Sequence, residues 1–287
     1  MRRLIFLFPL FATLPLLAGT IGPTGRYYLT APVESTNWII QGNTATAYPQ
    51  HSVGGEGAIA IPSFDVRTLG DPASAGSGAR YDLNFNYLGT NYAYPSGVHG
   101  IPGFVDGTSD GVHNYGVGYN FDYIVYQMNL DWSNPVELFT VSTMSLGITY
   151  DPINQSLWIS DGFSSSLVHD YSLSGTLLFS FNTSADFITA LAMDYTDGTL
   201  WLAHAHKDGV FSRTDGVYQQ YDRNGNLLQT VTYANMAGSY TLGGEFANIP
   251  EPGTLWLLTA AAGLLILRLH LVNTGYPLSA IRGARKG

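Results

Sequence analysis

Residues 190–230 read ALAMDYTDGTLWLAHAHKDGVFSRTDGVYQQYDRNGNLLQT, and residues 147–181 read GITYDPINQSLWISDGFSSSLVHDYSLSGTLLFSF. Asp151 and Asp194 each stand seven residues before a tryptophan, Trp158 and Trp201. Tyr171-Ser172 matches Tyr221-Asp222, and Gly175 and Gly225 precede the pairs Leu177-Leu178 and Leu227-Leu228. The period is 43 residues at the tryptophans and 50 at the tyrosines, and a seven-residue insertion around HKDGVFSRTDG, residues 206–216, explains the difference. A fixed period of this size marks a repeat architecture, in which each unit buries its apolar faces against its neighbours.

Each unit holds four short apolar or alternating runs. In the last copy they are Leu191–Tyr195, Leu200–Ala205, Val217–Tyr221 and Leu227–Tyr233, separated by Asp-Gly and Asn-Gly pairs. Asn224-Gly225 supplies the two residues that a tight type I′ hairpin turn requires. A fainter third copy offers Asp106 and Tyr115 at the Asp and Trp positions, Tyr126 at the Tyr position, and Leu138-Phe139 opposite Leu178-Phe179. Four antiparallel strands per unit predict an all-β fold, a β-propeller of about five four-stranded blades within the 231 residues from Gly19 to Ile249. The alternative is a β-sandwich. The similar stretches GGEGAIAI from Gly54 and GGEFANI from Gly243 suggest that a last unit begins again at Gly243 and is completed by the N-terminal strands. Such closure removes open strand edges. Residues 62–80 read as a surface loop, and no blade is assigned before Gly100.

Composition agrees with a β protein. Charged residues are 11% of the chain, while Gly (33) and Tyr (19) are abundant, the residues of turns and strands. Leaving out the basic residues of the two ends, and Glu251 with the tail, 20 acids face 6 bases, a net −14. That sign excludes a nucleic-acid-binding body. There is no cysteine, hence no disulfide framework, thiolate metal site or cysteine nucleophile.

The two ends read as addresses. Residues 1–19, MRRLIFLFPLFATLPLLAG, place two arginines before an apolar run that ends in small residues, the layout of a secretory signal peptide cut by signal peptidase. At the other end, Leu255–Leu267 carries no charge, and Arg268, Arg282, Arg285 and Lys286 follow within or after the apolar stretch 255–272. A helix there falls short of a comfortable membrane span, and the basic residues predict a cytoplasmic tail. The expected domains are thus 1–19, an exported body 20–249, and a segment 250–287.

Pro250, Glu251 and Pro252, followed by Gly253 and Thr254, an apolar segment and Arg268, resemble the PEP-CTERM sorting signal of Gram-negative bacteria. The resemblance covers about the last 40 residues. It implies a transient stop at the inner membrane, processing by an exosortase, and delivery to the outer surface or the extracellular space, commonly in organisms that build polysaccharide matrix or biofilm. The expected function is then that of a non-enzymatic surface or matrix protein that binds or scaffolds extracellular polysaccharide. The alternative is a secreted metal-dependent propeller enzyme of lactonase or glycan-lyase type.

Chemistry-bearing residues in the body are few. Asp106 and Asp110, in the dense DGTSDG, are weak calcium candidates, since Asp-Gly is first of all a turn former. No cofactor is expected beyond that possible calcium. His204 and His206 share a strand face, with His169 the nearest third ligand by repeat position. Glu56, Glu245 and Asn248 are the only residues that resemble the central metal ligands of propeller lactonases. No Gly-x-Ser-x-Gly elbow occurs. Trp158 and Trp201, mid-strand, are expected to pack between blades.

Overall fold

The computed structural model describes residues 22–247 except 53, 71–76, 97–102, 119–122, 163–164 and 209–210. The expected signal peptide and the sorting segment, with Asn248, Pro250, Glu251, Pro252, Gly253, Thr254, the apolar stretch 255–272 and Arg268, lie outside the described residues. The chain divides into two compact units, 1–247 and 248–287, and all the described structure belongs to the first.

Among the described residues, twenty strands form five antiparallel four-stranded sheets, the blades of a β-propeller. Blade two is β4 (Glu56–Ala60), β5 (Asp65–Gly70), β6 (Gly78–Asp82) and β7 (Tyr87–Tyr92). Blade three is β8 (Phe104–Ser109), β9 (Asn114–Gly118), β10 (Ile124–Met128) and β11 (Val136–Thr140). Blade four is β12 (Ser145–Asp151), β13 (Ser156–Asp161), β14 (Leu167–Ser172) and β15 (Leu177–Asn182). Blade five is β16 (Ile188–Asp194), β17 (Thr199–Asp208), β18 (Phe211–Tyr221) and β19 (Leu227–Thr232). Blade one combines both ends of the ring: β20 (Gly243–Phe246) lies innermost and pairs antiparallel with β1 (Tyr27–Ala31), followed by β2 (Thr36–Gln41) and β3 (Thr44–Pro49). The closure expected from the paired Gly-Gly-Glu stretches is thus present. The seven-residue insertion lengthens the β17–β18 hairpin, which pairs out to Asp208 and Phe211.

Burial runs outward from the axis. The inner strands β4, β8, β16 and β20 are buried at every position, whereas β15 exposes five of its six residues. Five inner strands crowd one axis, so small residues recur there: a Cβ on Gly243 would lie 2.4 Å from the Gly57 carbonyl, and one on Gly147 2.7 Å from Leu191 Cβ. Between blades sit aromatic layers. Trp201 packs with Tyr27, Trp38 and Tyr218 between blades five and one, and Trp158 with Leu191, Met193 and Tyr221 between four and five. Both tryptophans are fully buried, each worth a few kcal/mol by area alone.

The structure corrects the reading of the chain before Gly100. Residues 62–80 contain β5 and the start of β6 rather than a surface loop, and a complete blade stands there. Its overlooked signature is Tyr81-Asp82-x-Asn84-x-Asn86, which repeats as Tyr221-Asp222-x-Asn224-x-Asn226. In both hairpins the aspartate Oδ1 accepts the N–H groups two and four residues on, and Oδ2 accepts the second asparagine's amide. The third copy also shifts. Tyr115 does hold the tryptophan position, but the aspartate position belongs to Asp110 rather than Asp106, because a two-residue turn replaces the four-residue turns of blades four and five. Like Trp158 Nε1 on Asp151, Tyr115 hydroxyl donates to Asp110 Oδ2. By the matching hairpin bonds of Asn129 and Ser172, Met128 rather than Tyr126 aligns with Tyr171, and Phe139 aligns with Phe181.

Candidate functional site

In a propeller the inner edge of each innermost strand has no strand neighbour, so its N–H groups face the axis and need other acceptors. Here side chains of other inner strands, and Thr30 of β1, supply them. Asp106 Oδ1 accepts Gly107 N–H (2.8 Å) and Gly244 N–H (2.9 Å), and its Oδ2 accepts Ile148 N–H (2.9 Å). One carboxyl thereby joins blades three, four and one. Thr108 and Thr149 repeat the device from blade to blade, accepting Tyr150 N–H and Met193 N–H at 3.0 Å each. Thr30 accepts Gly243 N–H (3.1 Å) and donates to the Gly57 carbonyl.

Beside this ring of bonds lies Glu245, on β20 and 1% exposed. Its Oε1 accepts Phe246 N–H (3.0 Å) and the Tyr195 hydroxyl (3.2 Å), while Oε2 closes no hydrogen bond of good geometry. Burial pushes the Glu245 pKa up to about 8, against the opposing pull of Thr108, the Phe246 N–H and Tyr195. Burial likewise raises Asp106 well above the ordinary carboxylate range although three N–H groups favour its charge, and Glu245 adds to the rise. The Tyr195 phenol is also driven upward, by burial first and by Glu245 second. The axis is therefore a desolvated, acidic, hydroxyl-rich cluster.

The other sequence candidates are dispersed. Asp110 sits at the β8–β9 turn, where Oδ1 accepts Val112 and His113 N–H (2.7 and 2.6 Å). Asp106 and Asp110 thus have oxygens facing N–H and O–H donors, the polarity opposite to that around a cation. His204 Nδ1 lies 2.7 Å from Asp215 Oδ2 in blade five, and His169 Nε2 3.3 Å from Asp161 Oδ1 in blade four. Each imidazole has its own carboxylate partner. Glu56 is held between blades one and two: Oε1 accepts Ser52 N–H (3.0 Å) and Oε2 the Thr68 hydroxyl (2.7 Å), while the Tyr81 hydroxyl reaches both oxygens at 2.6 and 2.8 Å. Among the described residues no three His, Cys, Asp or Glu side chains converge in an arrangement able to hold a metal ion.

On the outer surface a hollow of about 710 Å³ lies where the end of β7 meets the β10–β11 turn. Thr90, Asn91, Tyr92, Tyr94, Ser133 and Asn134 line it, with Asp131 the single charged side chain among the described lining residues. Amide, hydroxyl and aromatic groups of this kind suit a neutral polyhydroxylated ligand. Sequence reasoning missed this hollow because its walls come from two blades, one of them in the region before Gly100 where the sequence assigns no blade.

No protein-family model matches the chain, and no curated protein matches it. Solved structures resemble it. A chain of a nidogen/laminin complex is 12% identical with a TM-score of 0.52, covering 77% of this chain and 98% of its own. A protein of unknown function from Bacteroides caccae is 11% identical with a TM-score of 0.42, covering 78% of this chain and all of its own. At such identities the first likeness establishes the propeller architecture and nothing more.

Proposed function

We propose that the chain is an exported, non-enzymatic propeller that is sorted to the cell surface by the PEP-CTERM route and binds neutral extracellular polysaccharide. The observation that carries the reading is the pair of end signals in the sequence, residues 1–19 and Pro250-Glu251-Pro252 with its apolar segment and Arg268, flanking a closed ring. Signal peptidase and an exosortase are the partners of that route, with the inner membrane a transient one. Preference for a neutral glycan is supported by the net −14 of the body, which repels polyanions, and by the hollow at Thr90–Asn91 and Ser133–Asn134, whose amide and hydroxyl lining carries a negative charge on Asp131 and none of positive sign among its described residues. The engagement of Asp106 by backbone N–H groups supports a structural role for that acid.

Replacing Pro250, Glu251 and Pro252 together is expected to abolish surface delivery and leave the protein in the inner-membrane fraction. Unchanged fractionation would refute the sorting reading. Glycan arrays of neutral and acidic polysaccharides test the second half, with loss of binding expected on Tyr94→Ala.

One observation favours the enzymatic alternative: Glu245 is a buried carboxyl with a pKa near neutrality, the property of a general acid. Stoichiometric metal in the purified protein, with turnover of lactones or polysaccharides that Glu245→Gln abolishes, would establish that alternative.

A further inference from the structure

Five arginines lie among the described residues, and four of them meet a carboxylate: Arg67 and Arg80 share Asp65, Arg213 reaches Glu34, and Arg223 reaches Asp151. Arg26 does not. It stands just before β1, and its Nη1 donates to the Leu83 carbonyl (3.2 Å) and to Asn84 Oδ1 (3.0 Å), both neutral groups of the β6–β7 turn. The Tyr28 hydroxyl, which donates to the same carbonyl, lies beside the guanidinium. Asp82, the acid of that turn, has its oxygens on the amide groups of Asn84 and Asn86. In a body of net −14, Arg26 is thus a cation fixed in place by neutral acceptors.

Arg26 and Asn84 form part of a hollow of about 270 Å³ between blades one and two. The remaining walls belong to blade one. Pairing sets Ile39 against Thr46 and Gln41 against Thr44, and Tyr48 follows two residues on, so these side chains share one face of the β2–β3 sheet. Hydroxyl and amide groups therefore surround the guanidinium, and no acid is among the described lining residues.

We infer that this hollow binds one carboxylate carried on a polyhydroxylated ring, a hexuronate, with Arg26 as its anchor. Both hydrogens of Nη1 are engaged, and among the described residues neither Nε nor Nη2 closes a hydrogen bond of good geometry. The Nε–Nη2 edge remains, and its two parallel N–H groups match the two oxygens of a carboxylate. Gln41, Thr44 and Thr46 are then placed to meet ring hydroxyls, in a volume that admits a single ring rather than a chain. A phosphate or sulfate dianion would leave one charge unmatched by the lone cation. At physiological ionic strength the field of remote acids fades over about 8 Å, so one carboxylate touching Arg26 is governed by that contact. A dense polyanion must set its other charges against the acidic body. The site is separate from the hollow at Thr90–Asn91, and the inference is independent of the export and neutral-glycan readings.

The test is ligand-observed NMR titration of the full chain, in a non-ionic detergent that disperses its apolar ends, with glucuronate, glucose and inorganic phosphate at pH 7. Glucuronate is expected to bind at least tenfold more tightly than glucose, and phosphate not to displace it at equal concentration. R26Q should abolish the preference for glucuronate over glucose, and R26K, which keeps the charge but not the planar fork, should weaken it. T46E places a carboxylate at an exposed position of the hollow without touching Arg26, so it tests the site even if R26Q fails to fold, and it should raise the glucuronate dissociation constant at least tenfold. R213Q makes the same change of net charge as R26Q at the distant, exposed Arg213 and should leave that constant unchanged. Equal binding of glucuronate and glucose by the wild type overturns the inference. So does displacement by equimolar phosphate, a preference that survives in folded R26Q or T46E, or one that R213Q removes.

Discussion

Gly225 abuts Phe181 of the preceding blade so closely that a Cβ at that position would stand 2.5 Å from the phenylalanine Cβ. Gly175 meets Phe139 in the same way, at 2.6 Å. At the equivalent turns of blades two and three the residue is Phe85 or Trp132, each itself at positive φ, 57° and 65°. An aromatic ring thus fills each of these inter-blade spaces, contributed by the neighbour's outer strand in two cases and by the turn in the other two. Phe85 touches Tyr28, Tyr48 and Tyr81 with ring centroids 5.5–5.6 Å apart.

Gly225→Ala is therefore expected to destabilise the fold by about 1–3 kcal/mol, since it combines a left-handed backbone with overpacking against Phe181. Phe85→Gly relaxes the same kind of backbone but empties its space, and a loss of about 3–5 kcal/mol is expected. Urea unfolding followed by tryptophan fluorescence measures both. Equal tolerance of the two substitutions would contradict the complementarity.

Asp106→Ala removes the acceptor of three buried N–H groups on three blades, at about 1–3 kcal/mol for each orphan in the limit of no rearrangement. The variant is expected to lose at least about 3 kcal/mol, if it folds. Asp106→Asn keeps one acceptor oxygen and is expected to lose less. Hydrogen exchange at Ile148 and Gly244 should accelerate in either variant, whereas Asp110→Ala should leave both amides protected.

Glu245 gives the stability a pH dependence of unusual sign. Its folded pKa, about 8, lies above the ordinary 4.5, so the folded state holds a proton that the unfolded state has released between those values. Its contribution is complete below about pH 4.5 and is lost as the pH climbs through about 8, on the order of 3–5 kcal/mol in all. Thermal melts should fall between pH 5 and pH 9. Glu245→Gln, which mimics the protonated acid, should flatten that fall and melt higher than wild type at pH 9. Asp106 contributes in the same direction.

Much of the ring was legible because strands β12–β19 retain both the Asp-to-Trp spacing and the Gly that closes the outer hairpin. Blade two was not, because Phe85 stands where blades four and five have Gly, and the asparagine ladder of Asp82 is visible only to a reader who already expects a turn there. Asp106 was misplaced by four residues because the Gly111-Val112 turn is two residues shorter than its counterparts. The axial cluster was illegible for a different reason. Asp106 meets partners 42 and 138 positions away, and Glu245 meets Tyr195 50 positions away, adjacencies that no local spacing encodes.

A chain truncated after Leu242 lacks β20, leaving the inner rim of β1 and the amide-binding oxygens of Asp106 partly unpartnered. It is expected to show no cooperative melt, although nineteen of the twenty described strands remain. A cooperative transition near that of the intact chain would show that blade one is dispensable.

The position of β20 also sets an order of events. Synthesis runs from the N-terminus, so β1, β2 and β3 emerge first, yet their sheet lacks its innermost member until residue 243 is made. Four completed blades must wait as an open arc, and the last strand to arrive turns the arc into a ring. A prematurely ended product therefore cannot masquerade as a finished one. The architecture verifies its own length, and the Pro-Glu-Pro stretch begins only four positions beyond the strand that completes the check.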